Sequence, residues 1–372
     1  MKYIDEFRNK RIVKKLVSEL YALAPQNKNI NLMEVCGTHT NSFFRYGLNN
    51  LLPPAINLLS GPGCPVCVSS QDYIDKAIEY AKRKEVSIVT FGDMLRVPGT
   101  SSSLEKQRAQ GADIHMVYSP LDAMTIAQQR PSRTIIFLGV GFETTIPTVA
   151  LTIQHAKRNK IDNFFVLCSH KLIPPAMKIL ASDTRLNLDG FICPGHVSAI
   201  IGAVAYRPLA RRFHTPCVIA GFEPIDMLEG IRMLVQQIIN KKSTVEIQYR
   251  RVVKEQGNPA ALKIISEVFK VADVAWRGLG VLPKSGLTLK KPYQRFDIEK
   301  VMPLRLASSG KKQPKSKCLC GDVLKGIIKP TQCPSFGKRC TPTSPLGPCM
   351  VSFEGSCAIY YKFGTRRTHF DR

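Results

Sequence analysis

At 372 residues the chain exceeds one ordinary core, so two or three domains are expected. A hydrophobic share of 44% beside 22% charged residues is that of a globular protein and excludes a disordered or fibrous chain. The net charge of +25 is spread in pairs such as Lys241-Lys242, Arg250-Arg251, Lys290-Lys291 and Lys311-Lys312, without a dense arm or interleaved aromatics. A basic surface that steers acidic protein partners is therefore expected, and a nucleic-acid partner is not.

The start, Met1-Lys2-Tyr3-Ile4-Asp5-Glu6, is charged and lacks the apolar core of a secretory signal. No apolar run approaches the roughly 20 residues that span a bilayer. The expected location is the cytoplasm, with no membrane partner. Twelve cysteines in a reducing compartment then argue for metal or redox chemistry over a disulfide framework.

Residues 7–24 read as an amphipathic helix, with Phe7, Ile12, Leu16, Leu20 and Leu23 on one side, stopped by Pro25 and Asn27. Four apolar runs follow, separated by helical stretches: Leu32–Val35, Ile56–Leu59, Val86–Thr90 and Ile114–Tyr118. Thr134–Leu138, Phe164–Leu167, Gly190–Ile192 and Cys217–Ala220 repeat the plan. Such alternation predicts parallel sheets covered on both faces.

The halves also match in detail. Cys36-Gly37-Thr38-His39-Thr40 lies 104 residues before Val140-Gly141-Phe142-Glu143-Thr144. Gly92-Asp93 lies 103 residues before Gly195-His196, and Ser119-Pro120-Leu121-Asp122 lies 104 before Glu223-Pro224-Ile225-Asp226. The expected architecture is two similar α/β domains, residues 1–125 and 126–245, facing a cleft. A smaller cysteine-rich domain, residues 246–372, follows.

In that last part Glu246–Val253 looks strand-like, and Asn258-Pro259 opens a helix to about Phe269. Trp276-Arg277-Gly278-Leu279-Gly280 and Pro283-Lys284-Ser285-Gly286 read as turns, and residues 308–317 as a flexible approach. From Cys318 to Cys357 the chain is rich in Gly, Pro, Ser and Thr and cannot bury enough apolar area to order itself. A metal or cluster is the expected staple.

Three groups of residues carry chemistry. Cys36 ends an apolar strand just before a helix, with His39 three residues on. His39 is placed to accept a proton from Cys36 or to hold it. Cys64-Pro65-Val66-Cys67 follows Gly61-Pro62-Gly63 at a second strand-to-helix turn, where a thiol pair can cycle with a disulfide and glycines allow close approach. A helix N-terminus at either place favours thiolate. Cys318, Cys320, Cys333, Cys340, Cys349 and Cys357 are six thiols in 40 residues. Their spacing matches neither ferredoxin pattern nor a zinc ribbon, and does not choose four ligands or separate iron–sulfur from zinc. Cys168, Cys193 and Cys217 read as core, and His170 and His196 as strand-end residues near the cleft.

These stretches together resemble the HypD family of hydrogenase maturation factors. The likeness rests on Met33-Glu34-Val35-Cys36-Gly37-Thr38-His39, Gly61-Pro62-Gly63-Cys64-Pro65-Val66-Cys67, Thr90-Phe91-Gly92-Asp93-Met94, Gly139-Val140-Gly141-Phe142-Glu143-Thr144, Ser169-His170-Lys171-Leu172-Ile173-Pro174-Pro175 and Pro194-Gly195-His196-Val197-Ser198. The family's C-x14-C-x6-C-x16-C pattern falls on Cys318, Cys333, Cys340 and Cys357. The resemblance implies a [4Fe–4S] cluster on those four cysteines. It implies a redox-active scaffold, rather than a conventional turnover enzyme, on which the Fe(CN)2CO unit of [NiFe] hydrogenases is assembled. Iron would be held at Cys36 with His39 beside it and a HypC-type chaperone docked. A HypE-type donor would bring cyanide, and Cys64 and Cys67 would exchange electrons with the cluster. The hydrogenase large-subunit precursor would be served indirectly. Where the family often has a second histidine, two residues after His39, this chain has Asn41. Competing expectations are a stand-alone iron–sulfur thiol-disulfide oxidoreductase and a zinc-stapled RNA-binding protein.

Overall fold

A computed structural model describes residues 5–304 and 318–364. Met1–Ile4, the Lys311-Lys312 pair and the stretch 308–317 lie outside the described residues. The strands are β1 (Ile30–Glu34), β2 (Ile56–Ser60), β3 (Val86–Thr90), β4 (Ile114–Met116), β5 (Thr134–Gly141) and β6 (Phe164–His170). They continue with β7 (Gly190–Pro194), β8 (Cys217–Ala220), β9 (Val245–Ile247), β10 (Phe269–Trp276) and β11 (Gly280–Leu289).

The strands form a five-stranded parallel sheet of order β2-β1-β7-β8-β9, a four-stranded parallel sheet of order β4-β3-β5-β6, and an antiparallel hairpin β10-β11. The internal repeat is visible in this order. Equating β1 with β5, β2 with β6, β7 with β3 and β8 with β4 turns one sheet into the other. The division expected at residue 125 is not how strands are shared, however. Each sheet takes two strands from before that point and the rest from after it, so the chain crosses between the units twice. Among the described residues, β9 ends the five-stranded sheet across the boundary expected at residue 246, and the hairpin packs on β6.

Alternate residues along the strands face different cores. Met33, Val35, Phe191 and Ile219 from the larger sheet share one buried cluster with Ile88, Ile136, Leu138 and Leu167 from the smaller. The other faces are covered separately. Ile30, Leu32, Ile192 and Val218 pack beneath the helices Lys10–Leu23 and Pro224–Ile239. Ile135, Phe137, Phe164 and Val166 lie beneath Pro120–Gln129 and Ile146–Arg158.

Local chemistry sets the element ends. Asn9 caps the first helix through its side-chain oxygen, so the helix begins at Lys10 and not at residue 7. Its buried stripe is Val13, Leu16 and Leu20, whereas Ile12 is exposed. Burying each of those side chains is worth about 2 kcal/mol. The strand expected at Glu246–Val253 is only β9, because the chain turns after Ile247. Pro283–Gly286, expected as a turn, lies inside β11 beside a register shift at Ala272/Val274. Proline is tolerated there because a two-stranded hairpin has only edges.

Apolar burial helps to order the cysteine-rich segment. Val323, Leu324, Cys340, Met350 and Val351 join the cluster shared by the sheets. Its last helix, Ser356–Phe363, packs on the helix Gly37–Arg45, with Phe44 and Tyr360 ring centroids 4.3 Å apart. Among the described residues no helix is long and apolar enough to cross a membrane.

Candidate functional site

Cys36 stands at the end of β1 as the N-cap of helix Gly37–Arg45. The backbone N–H groups of His39 and Thr38 face its sulfur and favour the thiolate, although neither makes a full cap hydrogen bond to it. The expectation of a lowered thiol pKa fails here. Burial, then the Glu354 carboxylate, push the Cys36 thiol up to about 12, and the two backbone donors only partly offset this.

The loop after β2 lies directly against Cys36. Gly61 N–H donates to Glu34 O at 2.8 Å, and Gly37 N–H to Gly63 O at 3.3 Å. A Cβ on Gly63 would stand 2.2 Å from the Cys36 nitrogen, so only glycine lets the two turns touch. In that loop Cys64 and Cys67 are joined as a disulfide, Cα atoms 5.2 Å apart, and Cys67 N–H donates to Cys64 Sγ at 3.2 Å. The following helix, Gln71–Ala81, is capped by Ser70, whose hydroxyl accepts from Tyr73 N–H.

His39 is fully buried. Its Nε2 lies 2.9 Å from Gly221 O and 3.2 Å from Ala220 O. Carbonyls only accept, so Nε2 carries the proton and Nδ1 keeps a lone pair. Nδ1 is buried without a partner. Burial lowers the His39 pKa to about 4, so the ring is neutral. Phe222 stacks between His39 and His196, with centroid distances of 4.7 and 4.0 Å. His196 is thereby at the site, on its exposed side. His170 is not. It is fully buried, edge-on to Phe269, with Nδ1 3.3 Å from Cys168 Sγ. Cys193 and Cys217 are core as expected, while Cys168 is half-buried.

The cysteine-rich segment closes over Cys36. A Cβ on Gly37 would stand 2.3 Å from Glu354 O. Thr38 Oγ1 donates to Glu354 Oε1 at 2.9 Å, and Asn41 Nδ2 donates to Phe353 O at 3.3 Å. Asn41, the departure from the family pattern, thus ties this segment down. From the other sheet, Asp93 Oδ2 accepts from Ser352 Oγ at 2.7 Å. Glu354 was not legible beforehand, since nothing in its Gly- and Ser-rich surroundings marks it.

The thiols of that segment are gathered. Electrostatic coupling ties Cys318 to Cys320, Cys320 to Cys349 and Cys349 to Cys357. Cys340 lies within electrostatic reach of Cys357 and Cys333. Cys320 and Cys349 are thus coupled to Cys318 and Cys357, two of the four that the resemblance singles out, while Cys333 and Cys340 lie elsewhere along the segment. The thiols pack on one another, and among the described residues no three His, Cys, Asp or Glu side chains stand at metal-holding separation. The donor set nonetheless suits an iron–sulfur cluster: soft sulfur ligands, mostly buried, beside a guanidinium nitrogen, Arg277 Nη2, that is buried without an acceptor. Arg277 joins this group to the disulfide loop, its backbone N–H donating to Val68 O at 2.9 Å and its Nε to Ser69 O at 2.8 Å.

Comparison with known proteins identifies the family. The family model HypD, described as "Hydrogenase formation hypA family", matches residues 11–364. The chain is 45% identical to the hydrogenase maturation factor HypD of Rhodobacter capsulatus, over 99% of each chain. It is 45% identical to HypD of Escherichia coli K12 over 98% of each, and 42% identical to HypD of Cupriavidus necator over 98% of this chain and 97% of the other. With whole-length matches of this strength, and with the sulfur-bearing turns brought together as described, the chain belongs to the HypD family of hydrogenase maturation factors.

Proposed function

We propose that this chain is a scaffold on which iron receives its cyanide and carbon monoxide ligands for [NiFe] hydrogenase, with Cys36 as the iron anchor. The observation that carries the reading is the meeting of three sulfur-bearing elements at one place: Cys36, the Cys64–Cys67 loop against its backbone, and the cysteine-rich segment over Gly37 and Thr38. Low-spin iron with carbon ligands is soft, and thiolate is its natural anchor. The backbone donors of Thr38 and His39 favour that thiolate, and His39, three residues on, keeps a neutral, unpartnered nitrogen lone pair. Burial excludes water from the sulfur. Opening the Cys64–Cys67 disulfide takes two electrons and two protons and yields two thiols on the loop whose Gly63 touches the Cys36 backbone. A [4Fe–4S] cluster, when held by Cys318, Cys333, Cys340 and Cys357, supplies one-electron transfer to that side of the site. The exposed flank of His196 and Phe353 leaves an approach for a HypC-type chaperone and a HypE-type cyanide donor.

A stand-alone thiol-disulfide oxidoreductase would need its dithiol within reach of a protein substrate. Cys64 and Cys67 are only 3% and 0% exposed, which speaks against it. The test is Cys36→Ala, purified with its chaperone. The iron–cyanide and iron–carbonyl infrared bands are expected to vanish, and bands of wild-type intensity would refute the anchor.

A further inference from the structure

The β10-β11 hairpin enters the site at its tip, and its contacts are unlike those of an ordinary turn. Arg277 gives its backbone N–H to Val68 O and its Nε–H to Ser69 O, one and two residues past Cys67. The next residue, Gly278, at φ +79°, lies so close to Gly321 that a Cβ on it would stand 2.3 Å from the Gly321 Cα. Cys320 is the neighbour of Gly321, and the Arg277 charge is felt at its sulfur. One residue therefore touches the exit of the disulfide loop while its chain neighbour touches the cysteine-rich segment.

The guanidinium is incompletely used. Nη2 is buried and has no acceptor. A permanently charged group with an unmet buried donor is costly unless something negative faces it. Lys329, Lys338 and Arg339 in the segment itself are exposed and turned to water. Thiolates binding iron bring negative charge to this spot, and N–H donors to their sulfur raise the reduction potential by stabilising the more negative, reduced state.

We infer that Arg277 is a positioning residue that holds the Cys64–Cys67 loop and the cysteine-rich segment in register, and that its Nη2 donates to sulfur of the cluster held there. This rests on the reading that the segment holds an iron–sulfur cluster. It assigns to the hairpin tip the tuning of the electron donor as well as its placement beside the disulfide.

The experiment is an EPR-monitored redox titration of cluster-loaded full-length protein, purified without oxygen. Arg277→Gln is expected to keep wild-type iron and sulfide content. Its reduction equilibrium is expected to shift at least tenfold toward the oxidised cluster, about 59 mV lower for a one-electron couple. Arg277→Lys keeps the charge but not the forked donor geometry, and is expected to recover much of the potential while the amide of residue 277, which donates to Val68 O, exchanges faster once the bond to Ser69 O is lost. Wild-type protein grown with 15N-arginine is expected to show a 15N hyperfine coupling to the reduced cluster. That measurement, with the lysine variant, decides the matter if the glutamine variant does not fold. A cluster of unchanged potential in Arg277→Gln, or no arginine coupling in the wild type, overturns the inference while leaving the cluster reading intact. Wild-type protein that is colourless and EPR-silent after reduction overturns the cluster reading itself.

Discussion

Gly63 lies against Cys36 with no room between them: a Cβ at position 63 would meet the Cys36 nitrogen at 2.2 Å and its Cα at 2.4 Å. Both atoms are backbone and cannot swing aside. Gly63→Ala must therefore push the disulfide loop off the end of β1. The expected cost is about 1–3 kcal/mol, together with loss of iron–cyanide formation despite intact Cys36, Cys64 and Cys67. Denaturant midpoints and infrared spectra of the same preparation check both.

The lid over Cys36 hangs on few bonds. Thr38→Val removes the 2.9 Å bond to Glu354 and leaves a half-buried carboxylate short of a donor. A loss of about 1–2 kcal/mol is expected, with faster amide exchange confined to residues 349–357. Uniformly faster exchange across both sheets would show that Thr38 supports the fold and not the lid.

His170 sets an acid limit to stability. Burial, then the nearby Lys171 charge, lower its pKa from 6.5 to about 3. Phe269 of β10 meets its ring edge-on, and Cys168 lies 3.3 Å from its Nδ1. Between those pH values the unfolded chain binds the proton and the fold does not. Stability from the neutral ring is complete above pH 6.5, falls as pH drops, and is gone below about 3. The total loss across that window amounts to roughly 3–5 kcal/mol. Thermal denaturation of His170→Gln from pH 7 to 4 should be visibly flatter than wild type, and parallel curves would remove His170 as the cause.

Asp226 is fully buried, and the Arg251 guanidinium supplies its counter-charge, Nη1 to Oδ1 at 2.7 Å. The same carboxylate accepts from Glu223 N–H and from Gln248 Nε2. Arg251→Ala leaves that charge uncompensated beneath the Gly221–Glu223 turn that carries His39's acceptor. About 3–5 kcal/mol should be lost. The double variant Asp226→Asn with Arg251→Ala should recover part of it, measured by urea denaturation.

What was legible in the chain was whatever rests on local pattern. Apolar runs marked β1–β8, because strands of parallel sheets are buried on both faces and read as continuous hydrophobic stretches. Strand-to-helix turns placed Cys36 at a cap and Cys64 and Cys67 in a loop, and the near-constant offset of about 104 residues anticipated the matching strand orders of the two sheets. The hairpin β10-β11 was hidden by the Pro283 and Gly286 inside it.

The sequence by itself determined which residues can carry sulfur chemistry, where strands end and helices begin, and that one unit occurs twice. Only the tertiary structure decided which strand joins which sheet, that burial outweighs the helix terminus at Cys36, and that Glu354, Asp93 and Arg277 stand at the site. The reason is physical. Periodicity reports a residue's own face and burial, whereas two strands with the same apolar pattern can pair in either sheet. A contact between residues 37 and 354 leaves no mark on the neighbours of either in the chain.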